Sequence, residues 1–555
     1  MSNVAVVRHA VIVLALAFCA LPALAQEKPP QEPPKMEPDK IGPRTEAVDS
    51  KVYAKVLHVA PTGSDQADGS AAAPAATIAQ ALAKVADAGE QRRYAVFVAA
   101  GEYKGQTIRM KSHVDLFGGF NAKSWQRDIA ANRSILDGEG QRRVVIGADD
   151  SRIDGFTIRN GKVREHGAGI LCDHASPTIS NNTIVHNTTL EPEALDGKKM
   201  IHQRGHDGAA IACINGSTSL VTNNIIAHNT TGIGGGAGIA VANYSMPHIL
   251  NNVIVNNDSG VNDVNESRSS NGAAISATNA QHREPLRMLV INNVITNNRT
   301  GLKSKSDAGG IYLEYDSSPV IGANWLLGNE CPDDGSAIYM MKSSHPLFTD
   351  NIVAGNNSSA IRLSKEGRGD IENNLAFGND VAVVCVSSWM NFRNNTIVDN
   401  KSGIVYGNSY APHLKPSIIT DNIVYGNEST QLTVAPNEEP AIVTNNLIQG
   451  GYSGGEGNWD EKPKFFEDGI TGQVKDVKYD DQHVTTTVAV GDLPSGASLA
   501  GRVIRLGNKW GVIEGATEGK IVVWGDLGAE AQPAEFNIAP TYRLNKALKG
   551  DVGAR

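Results

Sequence analysis

A short asparagine-containing phrase recurs along most of the chain and restricts the folds open to it. An Asn-Asn pair, or a variant with Ala or Asp in first place, precedes an apolar segment in ten copies. The second residues of successive pairs are 42, 28, 41, 31, 27, 23, 21, 27 and 24 positions apart, and in the first nine copies a further Asn follows five positions later. Periods of this length are typical of solenoids. The ten second residues are Asn182, Asn224, Asn252, Asn293, Asn324, Asn351, Asn374, Asn395, Asn422 and Asn446.

A second phrase, a small residue followed by Ile, precedes most of the pairs, as in Gly169-Ile170 and Ala337-Ile338. Between the phrases lie short runs of alternating apolar residues, and the i, i+3, i+4 pattern of helical repeats is missing. Such β-branched runs, with turn residues at fixed offsets, predict a coiled parallel sheet whose coils stack ~4.8 Å apart. An inward-facing Asn in this stack can hydrogen-bond to the neighbouring coils, so we assign the repeated Asn residues a structural role.

The N-N-x-I-x-x-x-N units between residues 152 and 449 resemble the repeats of right-handed parallel β-helices in the pectin-lyase-like superfamily. Residues 58–63, 76–82 and 98–103 are similar to the strand, the capping helix and the first coil with which that superfamily begins. The resemblance implies an all-β fold, a right-handed parallel β-helix (solenoid) with an N-terminal capping helix. The superfamily includes lyases, hydrolases, epimerases and non-catalytic adhesins, so the resemblance does not select an activity.

The predicted capping helix also follows from its own residues. Thr77 is a suitable N-cap, and Gly89 is a suitable stop. One face of the helix is apolar at helical spacing. The residues of that face are Ile78, Ala81, Leu82 and Val85.

The first 25 residues have the features of a secretory signal peptide. Arg8 precedes an apolar stretch, and Ala23-Leu24-Ala25 is a typical cleavage motif. The apolar stretch is too short to cross a bilayer comfortably. We therefore expect export to the periplasm, the cell surface or the medium, with no integral membrane segment after cleavage.

The remaining chain divides into three predicted regions. Residues 26–50 are rich in Pro and are predicted to be an extended linker or a tail without a role. Residues 51–470 form the β-helix with its cap, and residues 471–555 form a small C-terminal β module. We expect this module to cap the end of the solenoid, because open sheet edges invite aggregation. Its Trp510 and Trp524 leave a carbohydrate-binding role open.

Charge and composition bear on the partners. The chain has 50 basic and 59 acidic residues, a net charge of −9, and no long basic block. Because binding to nucleic acid requires clustered Lys and Arg, we expect no nucleic-acid partner. We expect a monomer whose partner is a polysaccharide.

Cysteine and histidine residues are interpreted mainly as structural. Cys172 and Cys213 fall in one inward-facing column on neighbouring coils, and we favour free thiols over a disulfide at that position. Six of the 14 His residues lie between positions 166 and 228. We favour solvated turn histidines, with a metal site as the alternative. Its ligands would be His166, Asp173, His202, His206 and Asp207.

The candidate functional residues lie on consecutive coils in the middle of the repeat. Outward columns place two tyrosines and an arginine above one another, and paired aspartates precede them. Tyrosines can stack on sugar rings, and Arg can bind carboxylates. Neighbouring carboxylates can act as acid and base or bind Ca²⁺. The candidate catalytic residues are Asp307, Glu314, Asp334, Lys342 and Arg362, and the candidate substrate-binding residues are Tyr312, Tyr339 and Lys365.

The signal-peptide features and these candidate residues together predict an exported, carbohydrate-active protein that binds an extracellular polysaccharide, with uronic-acid polymers as one candidate. If it cleaves the polymer, two mechanisms are open. A lyase would neutralise a uronate with Ca²⁺ or Arg362 and abstract a proton with Lys342 or Arg362, whereas a glycoside hydrolase would use two of the three carboxylates. The known signatures of polygalacturonases and mannuronan epimerases are absent. The alternative is a non-catalytic, adhesin-like or carbohydrate-binding β-helix protein.

Overall fold

The fold is described from a computed structural model. The structure describes residues 34–190, 207–262, 270–280, 287–301, 305–407, 416–435, 441–465, 469–491, 493, 498–528, 535–544 and 553. Residues 1–25, His202 and His206, for which the sequence predicts a signal peptide and possible metal ligands, lie outside these ranges.

The chain winds through three long parallel sheets, which we call sheets 1, 2 and 3 in the order in which each coil visits them. Sheet 1 has 14 strands: Lys55–Val59, Tyr94–Ala99, Val114–Phe120, Arg152–Asp154, Thr178–Ser180, Leu220–Thr222, His248–Leu250, Leu289–Ile291, Val320–Gly322, Leu347–Thr349, Arg368–Glu372, Trp389–Arg393, Ile418–Thr420 and Ile442–Thr444. Sheet 2 has 13: Gly101–Tyr103, Ser134–Asp137, Phe156–Arg159, Thr183–Val185, Ile225–Ala227, Val253–Val255, Val294–Thr296, Trp325–Leu327, Ile352–Ala354, Leu375–Phe377, Thr396–Val398, Ile423–Tyr425 and Leu447–Ile448. Sheet 3 has 12: Ile108–Arg109, Val145–Ile146, Ile170–Asp173, Ile211–Ile214, Ile239–Ala242, Ile275–Thr278, Ile311–Glu314, Ile338–Met341, Ser359–Ser364, Val381–Val386, Ser402–Gly407 and Leu432–Val434.

Two smaller sheets complete the β structure. A five-stranded parallel sheet lies between sheets 2 and 3 along the chain, with strands Lys162–Val163, Thr188–Thr189, Thr230–Thr231, Asp258–Ser259 and Arg299–Thr300. The C-terminal module is a closed antiparallel barrel of six strands: Ile470–Asp480, Thr485–Val490, Val503–Leu506, Lys509–Thr517, Lys520–Trp524 and Glu535–Ile538. The predicted all-β solenoid with a small C-terminal β module is confirmed.

The predicted capping helix is present, and it is shorter than expected. It spans Ile78–Ala83, and the Thr77 hydroxyl accepts the backbone N–H of Gln80. The helix ends at Ala83 instead of continuing to Gly89, which forms a turn with Arg92. Two 3₁₀ turns, Pro38–Lys40 and Ser50–Val52, precede it. No α-helix in the described ranges has the length and apolar character of a membrane span.

Two ladders of Asn side chains join the coils, as predicted. In the ladder between sheets 1 and 2, Nδ2 of Asn324 donates to Oδ1 of Asn351 at 3.0 Å, and this contact repeats from coil to coil. In the second ladder, which follows sheet 2, Asn356 donates to Asn379 at 3.0 Å. The ladder residues are buried, so their side chains satisfy backbone groups that water cannot reach.

The first residue of each Asn pair has a different task from the second. These residues adopt left-handed backbone angles, for example φ 55° at Asn181 and φ 56° at Asn223. Asn tolerates this conformation better than other non-glycine residues. The pair therefore combines a turn residue with a ladder residue.

The interior contains stacked aliphatic side chains and cysteines. Ile311, Ile338 and Ile361 lie in register on consecutive coils and have no solvent exposure. Cys172 and Cys213 also lie in register, fully buried, and both are free. The structure thus agrees with the interpretation of these cysteines as free thiols.

Residues 34–50, which fall in the predicted linker, lie against the β-helix. The N–H of Glu37 donates to Oδ1 of Asn292 at 2.9 Å, and the N–H of Arg44 donates to Oδ1 of Asn181 at 3.1 Å. Between them, the Asn223 side chain donates to the carbonyl of Lys40 at 2.6 Å. The segment therefore crosses several coils and uses side chains of the turn asparagines as its partners.

The barrel lies on the outer face of sheet 2 and not over the last coil. The Trp510 ring contacts the glycines at equivalent turns of successive coils, Gly328, Gly355 and Gly378. Strands Val294–Thr296 and Trp325–Leu327 contact Lys509–Thr517 of the barrel. The expected end cap is instead formed by residues 456–459, where Asn458 continues the first ladder and Trp459 bridges to Leu447. The barrel covers apolar side chains that sheet 2 presents outward.

Candidate functional site

Three neighbouring strands of sheet 3 carry the predicted site, and their register is as expected. Tyr312 pairs with Tyr339, and Tyr339 pairs with Arg362. Outward-facing side chains at these positions lie on consecutive coils because the parallel register is unbroken there. The structure therefore brings the predicted row together.

The two tyrosines are not an exposed stacking surface, contrary to the role expected for them. Tyr312 is 4% exposed and Tyr339 is 3% exposed. Their rings meet edge to face with centroids 6.0 Å apart, and they form an apolar cluster with Ala308 and Met341. The Tyr312 hydroxyl donates to Sδ of Met341 at 3.0 Å. The rings thus form a small core on the outside of the sheet.

Glu314 and Lys342 form an ion pair at one end of this core. Nζ of Lys342 lies 2.5 Å from Oε1 of Glu314 and 2.9 Å from the Tyr315 hydroxyl. Burial opposes the charge on Lys342, but the hydrogen bonds to Glu314 and Tyr315 outweigh it and raise the pKa of Lys342. A lysine held in this state is protonated at neutral pH, so its use as a general base is disfavoured.

Asp307 and Asp334 lie at the other end of the core. Asp307 is 8% exposed, and its Oδ1 accepts the backbone N–H of Asp334 at 3.3 Å. Burial, and then the charges of Asp333 and Asp334, raise the pKa of Asp307 to about 7. The charge of Asp334, the neighbour singled out from the sequence, is a smaller cause of this rise than burial and Asp333, and the backbone N–H of Asp334 opposes the rise.

Arg362 binds the second of these carboxylates. Its Nη2 lies 3.1 Å from Oδ2 of Asp334. Burial raises the pKa of Asp334 and the Arg362 charge opposes that rise. Lys365 is exposed, and its charge lowers the pKa of both aspartates. Asp307 and Asp334 therefore differ in environment, one enclosed and the other ion-paired, which suits an acid and a base.

The predicted residues thus divide into two groups separated by the tyrosine core. Asp307, Asp334 and Arg362 form one group, which we call the aspartate–arginine cluster, with Lys365 acting on it electrostatically. Glu314 and Lys342 form the other. Glu314 is therefore not favoured as one of the two catalytic carboxylates of a hydrolase, because it forms an ion pair with Lys342 and lies across the tyrosine core from the aspartates.

The histidine-rich region forms local contacts. The backbone N–H of Asp207 donates to Nδ1 of His166 at 3.0 Å, and Nδ1 of His174 lies 2.7 Å from Oδ1 of Asp173. In the described part of the chain, no three potential metal ligands of the His, Cys, Asp and Glu types come together.

A cleft between the barrel and the first coils contains residues that sequence reasoning missed. It has a volume of about 300 Å³. Arg133 and Thr157 lie on the β-helix side, and His483, Glu514 and Trp524 lie on the barrel side. Only Trp524 was marked by its residue type, because the docking of the barrel onto sheet 2 has no local sequence pattern.

The comparisons with known proteins concern the architecture. The family described as "Right handed beta helix region" matches residues 273–448. This match agrees with the three long parallel sheets of the structure. The chain is a parallel β-helix repeat protein. A family described as a protein of unknown function matches residues 61–274 of this β-helix protein.

No curated protein matches the β-helix protein. Among solved structures, XylC in complex with xylose is similar at 12% identity and a TM-score of 0.37, over 79% of this chain and 89% of that chain. The Dettilon tailspike protein is similar at 12% identity and a TM-score of 0.33, over 87% and 93%. A rhamnogalacturonan lyase is similar at 14% identity and a TM-score of 0.25, over 71% and 87%.

Proposed function

We propose that this β-helix protein binds a polysaccharide at the aspartate–arginine cluster of sheet 3. The observation that carries the proposal is the Arg362–Asp334 pair, at 3.1 Å on consecutive coils, beside the enclosed Asp307. A guanidinium group donates hydrogen bonds and a carboxylate accepts them, so together they satisfy the hydroxyl groups of a sugar chain. A uronate would add a carboxylate for Arg362 to bind.

Binding at this cluster is tested with the purified protein on immobilised neutral and uronic-acid polysaccharides. Arg362→Gln and Asp334→Asn are expected to weaken retention about tenfold. Arg393→Gln is the matched control, because Arg393 forms a similar ion pair with Glu372 at 3.1 Å on sheet 1. Unchanged retention in both cluster variants, with the fold intact by circular dichroism, would contradict the proposal.

A second candidate function is hydrolysis of the bound polymer, and the pKa of Asp307 favours it. A carboxyl group with a pKa of about 7 remains partly protonated at neutral pH and can protonate a leaving group. Asp334, on the next coil, would act as the base or nucleophile. The pairing of Lys342 with Glu314 disfavours elimination by Lys342.

Hydrolysis and elimination are distinguished by their products. Hydrolysis releases reducing ends alone, whereas elimination also gives unsaturated products with ultraviolet absorbance. Asp307→Asn is expected to abolish release of reducing ends and to retain binding. The rate should fall as the pH rises through about 7, because Asp307 then loses its proton. Binding without product would leave the protein in the non-catalytic class.

We further propose that the protein is exported, with residues 1–25 acting as a signal peptide. This proposal rests on Arg8, the apolar stretch and the Ala23-Leu24-Ala25 motif. The expected mature N-terminus is Gln26, which N-terminal sequencing of the extracytoplasmic protein would identify. Recovery of the uncleaved chain from the cytoplasm would contradict export.

A further inference from the structure

The cleft between the barrel and the first coils is separate from sheet 3. Its β-helix side is formed by sheet 2, the turns before it and Pro43 of the N-terminal segment, and its other side is formed by one turn and three strands of the barrel. A volume of about 300 Å³ is at the lower end of the range for small-ligand sites. The polar side chains that line it are Arg133, Thr157, Asn181, Thr183, Gln482, His483, Thr485 and Glu514.

The cationic group of the cleft has spare hydrogen-bonding capacity. Nη2 of Arg133 donates to the Thr157 hydroxyl at 3.2 Å. No carboxylate among the described residues lies at ion-pair distance from Arg133, although Asp480 and Asp481 act on it from longer range. Burial lowers the pKa of Arg133 without discharging it. A guanidinium group with five N–H donors therefore faces the cleft with most of them available.

The anionic group of the same cleft is Glu514. Among the described residues, the Glu514 carboxylate has no hydrogen-bond donor and no cation at ion-pair distance, and the side chain remains exposed. Partial burial against the β-helix raises the pKa of Glu514, and the more distant His483 opposes this. Arg133 and Glu514 thus line one space without pairing with each other. A ligand between them would use one as a donor and the other as an acceptor.

The remaining wall of the cleft is apolar. Trp524 is 8% exposed and packs in one apolar cluster with the buried Ile225, and both line the cleft. An indole ring next to hydrogen-bonding groups matches the two faces of a sugar ring, one rich in C–H and the other in hydroxyls. Trp524 is held in place because its ring packs on Gly42 of the N-terminal segment. The apolar wall is therefore preformed.

We propose that this cleft binds a single saccharide unit, with Arg133 donating to its oxygens, Glu514 accepting from its hydroxyl groups and Trp524 contacting its C–H face. The threonine hydroxyls at positions 157, 183 and 485 supply further hydrogen bonds. The site goes beyond the proposed polysaccharide site, because it shares no residue with the cluster on sheet 3. It gives the barrel a binding role in addition to covering sheet 2.

The proposal is tested by titrating the full chain with neutral monosaccharides, uronic acids and free amino acids, with Trp fluorescence and calorimetry as readouts. A neutral sugar or a uronic acid is expected to bind, and a preference for uronic acids would identify Arg133 as the carboxylate receptor. Arg133→Gln and Glu514→Gln are each expected to weaken binding about tenfold. Arg109→Gln, an exposed arginine on the first strand of sheet 3, is the matched control.

Two results would overturn the proposal. One is the absence of saccharide binding by the wild-type chain, and the other is binding of amino acids alone, which would assign the two charges to a zwitterion. Glu514 is exposed, so its variant remains informative if Arg133→Gln destabilises the chain. Arg362→Gln should leave binding in the cleft unchanged, and Arg133→Gln should leave retention on polysaccharide unchanged. The two sites can therefore fail independently.

Discussion

Nε2 of His228 lies 2.7 Å from the hydroxyl oxygen of Tyr479, and this contact joins a turn of the β-helix to the first strand of the barrel. His186, one coil earlier, stacks on His228 with ring centroids 5.4 Å apart and approaches Asp481 of the barrel at 3.6 Å. Burial, and then the neighbouring His186, lower the pKa of His228, against the opposing charges of Asp481 and Asp526. The contact between the barrel and the β-helix therefore favours the neutral form of His228.

Acid is expected to weaken this docking through His228. The folded-state pKa lies below the ordinary value of 6.5, so the unfolded chain binds more protons between the two values. The free energy of unfolding should fall as the pH drops from about 6.5 through the folded-state pKa. His228→Gln should reduce this loss, as measured by urea denaturation on both sides of the interval. His174→Gln, at an exposed site, should behave as wild type, and an identical pH slope in all three proteins would contradict the assignment.

Asp307 should have the opposite pH dependence. Its folded-state pKa of about 7 exceeds the ordinary value of 3.8, so the folded chain binds more protons between these values. Its contribution to stability is complete below about pH 4 and is lost as the pH rises to about 7. The free energy of unfolding of Asp307→Asn, relative to that of wild type, should therefore be higher at pH 8 than at pH 4 by a few kcal/mol, as measured by denaturant unfolding. The same substitution at exposed Asp316 should give no such difference. A pH-independent effect of Asp307→Asn would disprove the raised pKa.

Gly355 should not tolerate a side chain, because Trp510 occupies the space. A Cβ atom at Gly355 would lie 2.1 Å from Nε1 of Trp510, and the backbone there has φ +65°. Gly450 also has a positive φ, +80°, but no atom lies within 4 Å of its Cβ position. Both alanine variants should lose about 1–2 kcal/mol to the left-handed backbone, and Gly355→Ala about 1–3 kcal/mol more to overpacking. Equal losses in urea unfolding would show that the ring is not held against the turn.

The ladders should be sensitive to single truncations. Asn356 is 1% exposed, and its Nδ2 donates to the carbonyls of Leu326 and Ala354 and to Asn379. Asn356→Ala leaves several buried groups unpaired at about 1–3 kcal/mol each, so a loss of about 3 kcal/mol or more is expected in chemical denaturation. Asn391→Ala is the control, since the Asn391 side chain is partly exposed and, among the described residues, donates to Asp370 alone. Comparable losses in both variants would argue against the ladder as a major support.

The solenoid could be predicted from the sequence because its determinants are local and repeated. Asn182 and Asn187 mark two corners of a coil, and the same spacing recurs in the following coils. Sequence alone did not distinguish the turn residue Asn181 from the ladder residue Asn182. Nor did it show that Asn181 and Asn292 also hold the N-terminal segment, because those contacts join residues more than 130 positions apart.

The sequence predicted the strand register of the candidate site, but it did not predict the solvent exposure of the side chains. Period-two counting correctly placed Tyr312 and Tyr339 on neighbouring coils and on the outer face. Their burial depends on Met341 and Ala308, which cover the rings from the same and neighbouring coils. Alternation along a strand identifies a face, but it cannot show what lies over that face.

The position of the barrel could not be predicted. The strands of the barrel were evident from their alternation, but Trp510 fits a groove made by glycines on three coils. In the sequence these glycines look like ordinary turn residues. The cleft with Arg133 and Glu514 exists only as a result of that docking, and for this reason neither residue was singled out.

The two ladders also determine where the chain can vary in length. Successive coils are between 21 and 42 residues long at the first ladder, yet in each of the nine coils that have both ladder positions these lie five residues apart. All additional length is therefore placed after the second ladder, in the connections to sheet 3 and from sheet 3 back to sheet 1. Each coil thus combines a segment of constant length between its two ladder positions with connections of variable length. New surface can thus evolve on one coil without altering the register of its neighbours.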